Sequence, residues 1–235
     1  LAVGKESVSG ENAAAVGDKA KAGGYKAAAF GYDSAASGLS ATALGGGSKA
    51  EALRSVAVGF RAHAKGTNDV AVGGAAAASG GQSVAVGLLS KASALRAVAV
   101  GNGAQASNID AVAIGRDSEA DALSATALGD RAKARGTQSL ALASAAEAEG
   151  YQAVAVGTRA VSNAVNSVAL GVESSATALN GLAVGTSSSV RKEGGTAVGG
   201  GASALEEKSL ALGFQAKGKA EKAVALGAQS IADSA

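Results

Sequence analysis

The stretch SVAVGFRAHAKGTNDVAVGGAAAASGGQSVAVG, residues 55–87, states one phrase three times: Val-Ala-Val-Gly at 56–59, 70–73 and 84–87. A strict return every fourteen residues is the signature of an array of identical structural units, and it takes precedence over residue-by-residue propensities. Followed outward, the anchoring Gly falls at 4, 17, 31, 45, 59, 73, 87, 101, 115 and 129, then at 157, 171, 185, 199, 213 and 227. The first interval is thirteen and the others keep the fourteen-residue ruler, with Ala143 standing where one Gly is expected. No linker or change of composition interrupts the phrases, so residues 1–235 read as one domain of about seventeen repeats. Leu1-Ala2-Val3-Gly4 opens in the middle of a phrase, which suggests a piece of a longer array.

Counted from each Gly as position 0, small residues recur at positions 3 and 5 and again at positions 10 and 12. Ala62 and Ala64, Ala104 and Ala106, and Ala132 and Ala134 illustrate the first pair of positions, and Ala85, Ala99 and Ala113 occupy position 12. Asp69 is the clear exception at position 10. A period of two marks a strand whose successive side chains point to opposite faces. The alternates at positions 11 and 13 are apolar: Val56 and Val58, Val84 and Val86, Val98 and Val100, Val112 and Ile114, Val154 and Val156, Val168 and Leu170. In the other segment the alternates are mostly polar, such as Arg61, His63 and Lys65 or Asp117, Glu119 and Asp121.

These two segments define an all-β parallel solenoid in which one fourteen-residue coil contributes two short strands. Coils stacked at about 4.8 Å make a rod of roughly 80 Å. The Ala set just given fills a tube too thin for anything larger, and Gly59, Gly73, Gly87, Gly101, Gly115 and Gly129 turn the corners. Ala143 is expected to be strained or to have a differently shaped corner. The twelve apolar alternates form a stripe far longer than soluble monomers expose, so it requires a cover. Another copy of the same chain, packed about a symmetry axis, is the expected cover; the pattern alone leaves two or three copies open.

Composition agrees. The chain has 35 Gly, no Pro, Cys, Met or Trp, and only three Tyr and three Phe, so a globular core of large side chains is excluded. Collagen would need Gly at every third residue. With 21 Lys and Arg against 19 Asp and Glu the net charge is +2, too weak for a dedicated nucleic-acid surface. No apolar run approaches a membrane span. His63 is the only histidine and has no Cys or second His to work with, so no catalytic, metal or cofactor site is expected.

The series SVAVG, SVALG and AVAIG followed by small-residue alternation, as in NSVALGVESSATALNG at 166–181, resembles the head repeats of trimeric autotransporter adhesins, the YadA-like family. The resemblance covers essentially the whole chain. It implies a left-handed parallel β-roll with 14-residue coils, assembled as a side-by-side homotrimer and displayed outside the outer membrane of a Gram-negative bacterium. It also implies a virulence-related attachment to host cells or extracellular-matrix proteins, with membrane contact only through an anchor segment that these residues do not contain. A rigid spacer that projects another binding domain is the alternative. No receptor or ligand-binding residue carries over.

Smaller features are read beside this frame. Gln138, Gln152, Asn166 and Asn180 stand at position 9 of four successive coils and suggest an amide ladder. Leu39, Leu53, Leu95, Ile109, Leu123, Val165 and Leu179 make an interrupted apolar column at position 8, which becomes Glu193, Glu207 and Glu221. Those glutamates should find Arg191, Lys208, Lys219 or Lys222 nearby. Tyr32, Phe60, Leu88 and Phe214 place large side chains just after the corner Gly, as candidates for host contact or for capping a neighbouring subunit.

Overall fold

A computed structural model describes residues 1–234 as short strands joined by tight corners. The described residues form 34 strands which, after the two-residue Ala2–Val3, alternate between a two-residue one, such as Lys91–Ala92, and a three-residue one, such as Val84–Val86. The connections between them are only four or five residues long. Each strand pairs in parallel with its equivalent one coil away, so Val70, Val84, Val98 and Val112 share one rung column and Val72, Val86, Val100 and Ile114 another. The chain is therefore an all-β parallel solenoid of about sixteen coils.

The coils fall into two compact units, Leu1–Asp117 and Ser118–Ala235. Within the first unit, the longer strands pair in unbroken succession from Ala2–Val3 to Val112–Ile114. Within the second, the column Leu140, Val154, Val168 and Leu182 repeats the arrangement. The thirteen-residue opening interval leaves the register intact, with Val3 opposite Val16 and Ser9 opposite Ala22. The missing residue is absorbed at the corner, where Gly10 both donates to Ala22 O and starts the next turn.

Most coils have two β-turns, one opened by the residue at position 0 and one by that at position 7; in the first coil the second turn opens at Gly10, and in the coil of Gly73 Ser83 N donates to Asp69 Oδ1 and Gly81 is left-handed as well. In the coil of Gly59, Ala62 N donates to Gly59 O and Asp69 N to Gly66 O, each at 3.2 Å. The third residue of each turn is left-handed: φ is 55° at Arg61 and 58° at Asn68. Positive φ at that place alone is the type II arrangement. Arg61 and Asp117 consequently belong to turns, and the polar strand is shorter than the sequence alternation suggests, covering positions 4 and 5 only.

The interior is a column of methyl groups. Serine replaces alanine mostly at positions 3 and 10, and the turns explain why. There a hydroxyl can bond the carbonyl three residues back, as Ser48 Oγ does to Gly45 O and Ser55 Oγ to Ala52 O, both at 2.8 Å. Ser162, at position 5, instead needs Ser167 from the facing side, at 2.8 Å to its carbonyl oxygen and 2.6 Å to its Oγ. Buried Asp69 is satisfied by three donors: Gly66 N at 2.6 Å, and Ser83 N and Ser83 Oγ at 2.8 Å each. Val190 is the bulkiest wholly buried side chain, and glycine faces it on both sides. A Cβ on Gly181 would lie 3.0 Å from Val190 Cγ1 and one on Gly195 2.8 Å, so the added volume is matched by subtraction.

Ala143 occupies the glycine corner with φ 106°, against 141° at Gly129 and 135° at Gly157. Its backbone still serves the coil, donating to Leu128 O at 2.8 Å and accepting from Ala146 N at 3.3 Å. The corner is bent to admit the methyl group, so the strain sits in the backbone. Ala143→Gly should therefore stabilise the second unit by about 1–2 kcal/mol: relief of roughly 1–3 kcal/mol, less the added entropy of a glycine in the unfolded chain. Denaturant midpoints at matched m-values measure it; no gain would mean that the corner is unstrained.

Candidate interaction surfaces

Three surfaces emerge from this geometry: the outer face of the longer strands, that of the shorter strands, and the corners. On the first, the apolar alternates Val56, Val58, Val84, Val86, Val98, Val100, Val112, Val154, Val156, Val168 and Leu170 are half-buried, and Ile114 is exposed. Each is flanked above and below by its equivalents one coil away, while its outward side stays open. Ala62, Ala64, Ala85, Ala99, Ala104, Ala106, Ala113, Ala132 and Ala134 are wholly buried. The glycines at 59, 73, 87, 101, 115 and 129 all take φ between 126° and 141°.

The shorter strands present a charged face, mainly basic in the first unit and of mixed sign in the second. In the first unit position 4 carries Lys21, Lys49, His63 and Lys91, with His63 Nε2 lying 3.0 Å from Glu51 Oε1. In the second unit Arg135 is ringed by carboxylates: Glu119 at 2.5 Å, Glu149 at 3.4 Å and Asp121 at 3.9 Å. The hydrogen bond to Glu119 is the main reason its guanidinium holds its proton more tightly than usual. Lys133 and Glu147 add a pair at 3.6 Å between adjacent rungs. Solvent screening keeps each such pair modest, so this is a charge pattern rather than a source of stability.

At the corners the left-handed residues form ladders of their own. Gln152 Nε2 donates to Gln138 Oε1 at 3.0 Å and Asn166 Nδ2 to Asn180 Oδ1 at 3.2 Å, so the amides bond in two pairs. Arg96 grips Asp110 with two bonds of 2.5 and 2.7 Å, and these hold the Asp110 carboxyl below the ordinary carboxylate range. Arg159 also pairs with Glu173 one coil on, through the single bond from Nη2 to Oε1. Of the position-8 glutamates, Glu221 pairs with Lys222 at 2.9 Å, a contact that lowers its own pKa and raises that of the lysine. Lys219 turns instead to Asp233, at 3.2 Å.

Tyr32, Phe60, Leu88 and Phe214 are all exposed, as are Leu39, Leu95, Ile109, Leu123, Val165 and Leu179 at the other corner. Cations approach three of the rings: Lys19 over Tyr32 at 5.8 Å, Lys26 over Tyr25 at 5.2 Å and Arg61 over Phe60 at 5.0 Å. Among the described residues no cluster of three or more His, Cys, Asp or Glu side chains could hold a metal, and no helix is long and apolar enough to cross a membrane.

A profile of the YadA head domain repeat matches at residues 9–34, 36–62, 64–90, 92–118, 120–142, 148–174, 162–188 and 191–216. The chain belongs to the YadA head family. Its repeats are those of an adhesin-type head domain, and the matches run through both compact units. No curated protein matches the chain significantly.

Within this YadA head the left-handed turn residues are what the alternation of small side chains did not disclose. Their signal was nonetheless in the sequence: positions 2 and 9 are rich in the residues that tolerate positive φ, as at Asp33, Gly47, Asn68, Gly103, Asp110, Asn166 and Gly194. Lys, Arg and Gln at the same positions masked it.

Proposed function

We propose that this YadA head works as a multivalent attachment head: residues 1–235 as a single domain, three copies side by side as left-handed β-rolls. It would stand outside the outer membrane of a Gram-negative bacterium and hold host cells or extracellular-matrix proteins. The observation that carries the reading is the open apolar stripe on one face of each unit, set against polar shorter strands on the other. A soluble monomer does not leave such a stripe uncovered, and identical chains offer an identical stripe to cover it. Three chains multiply modest contacts into avidity without any single strong site.

A rigid spacer is the second reading, favoured by the shortness of the connections: among the described residues no coil bears an inserted loop that could form a dedicated binding site. Two measurements separate the possibilities. Sedimentation equilibrium should give a mass near 66 kDa, three chains of 22.0 kDa, and a stable monomer would refute the assembly. Saturable binding of that trimer to immobilised matrix proteins or host cells supports attachment; its absence leaves the spacer.

A further inference from the structure

The outer face of the shorter strands differs between the two units in whether its cations have partners. In the first unit Lys21, Ala35, Lys49, His63, Ala77 and Lys91 stand in direct register on successive rungs. Rungs about 4.8 Å apart put Lys91 about 24 Å from Lys21 along this column. The three lysines are exposed, and exposed Lys65 joins them two residues beyond His63. Among the described residues no carboxylate pairs with any of these four lysines. In the coil of Gly129, by contrast, Lys133 is held by Glu147, and Arg135 by Glu119, Asp121 and Glu149. One unit neutralises the cations of this face internally, and the other leaves them open.

Coil stability accounts for the spacing of these lysines but not for their missing partners. Like charges on adjacent rungs repel, so alanine at 35 and 77 sets the lysines apart, and His63, on the rung next to Lys49, takes Glu51 at 3.0 Å. Carboxylates are scarce around them. At positions 2, 4 and 6 of the coils from Gly17 to Gly87, Lys19, Lys21, Lys49, Arg61, Lys65 and Lys91 meet only Asp33 and Glu51. Lys19 and Arg61 lie over the corner rings of Tyr32 and Phe60, which leaves the strand lysines as the free charges. Apart from His63 and Leu89, the other residues at those positions are Gly, Ala or Ser, with Ser37, Ser79 and Ser93 exposed at position 6. The surface between the lysines is therefore low and carries hydroxyls.

A row of free cations on a low surface suits a linear anion that lies lengthwise across the rungs. We propose that this column of the first unit is a binding track for an acidic polysaccharide. Sulfate or carboxylate groups of the glycan meet Lys21, Lys49, Lys65 and Lys91, and its hydroxyls meet the serines. Charge density selects the class. Four lysines over about 24 Å supply about one cation per 6–8 Å, against one phosphate per about 3.4 Å along a nucleic-acid strand. A single-stranded nucleic acid would also call for aromatic side chains on which bases stack, and positions 2, 4 and 6 of these coils hold none. The track lies on the face of the shorter strands, away from the apolar stripe, so assembly through the stripe leaves it open. It gives the attachment reading a ligand class and rests on that reading only for its biological context.

Calorimetric titration of the 235-residue chain with octasaccharides derived from chondroitin sulfate, from hyaluronan and from neutral dextran tests the track. At least one acidic chain should bind, one per protein chain, and weaken as salt rises, and the neutral one should bind at least about tenfold more weakly. Comparison of the two acidic chains tells whether sulfate or carboxylate is the group gripped. A disaccharide of the same chemistry, too short to span the column, should lose about tenfold or more. The triple variant Lys21→Gln, Lys49→Gln, Lys91→Gln changes only exposed side chains and should weaken binding about tenfold or more while the thermal midpoint holds. Lys192→Gln, Lys208→Gln, Lys217→Gln removes the same charge from the second unit and should leave the affinity within about twofold. Equal losses in the two triple variants, affinity independent of saccharide length, no preference for the acidic chains, or equally tight binding of duplex DNA or polyglutamate would overturn the proposal. Attachment to cells without saccharide binding would reject the track alone, whereas saccharide binding in solution without attachment would reject the wider function.

Discussion

Gly101→Ala is expected to destabilise the first unit by several kcal/mol, far more than a single methyl group usually costs. Two effects add. The backbone at Gly101 has φ +137°, where an L side chain is strained by about 1–3 kcal/mol. A Cβ there would also stand 2.4 Å from the carbonyl oxygen and 2.7 Å from the carbonyl carbon of Gly115, one coil on. Those atoms are backbone and cannot rotate away, which adds about 1–3 kcal/mol of overpacking or forces the two coils apart. Because Gly115 N donates to Val100 O across the same step, the loss should appear as early hydrogen exchange in the coils around 101 and 115. A variant with an unchanged melting midpoint would show that the glycine column is dispensable.

Val112→Asp together with Ile114→Asp should have the second large effect, on assembly and not on the coil. Both side chains point outward from the strand Val112–Ile114, while Ala113 between them is wholly buried. Each apolar side chain removed from a subunit contact forfeits about 1.5–3 kcal/mol, and each aspartate adds the cost of burying a charge beside its copies. In the proposed trimer, three copies carry the change. Sedimentation velocity should show the 66 kDa species, three chains of 22.0 kDa, giving way to single chains, with the far-ultraviolet spectrum unchanged. Ala113→Leu is the contrasting experiment: it overfills the interior and should disturb the coil while the stripe stays intact. A double aspartate variant that still sediments as three chains would place the contact elsewhere.

Much of this architecture could be read directly from the chain. The fourteen-residue ruler and the small residues at positions 3, 5, 10 and 12 dictate a thin solenoid, because only a repeated coil can use one phrase throughout. What stayed hidden depends on backbone conformation and on compensation between distant residues. Position 2 holds Lys19, Asp33, Arg61 and Gln215, a mixture that in a linear pattern looks like an exposed strand face; only the turn geometry shows them sharing one left-handed conformation. Val190 looks like an error in an alanine column until Gly181 and Gly195 are seen facing it. Asp69 looks like a misplaced charge until Gly66 and Ser83 are seen donating to it.

The parallel rungs also determine how either unit responds to pulling. A load applied across the stack falls on the hydrogen bonds between one coil and the next, which run in the direction of stacking and can break rung by rung. A released coil of fourteen residues extends to roughly 46–50 Å in place of the about 4.8 Å it occupied. Each such release therefore lengthens the tether about tenfold locally and relaxes the force on the coils that remain. A head made this way would dissipate tension by uncoiling from an end, and could rewind on the template of the next intact rung when the load falls.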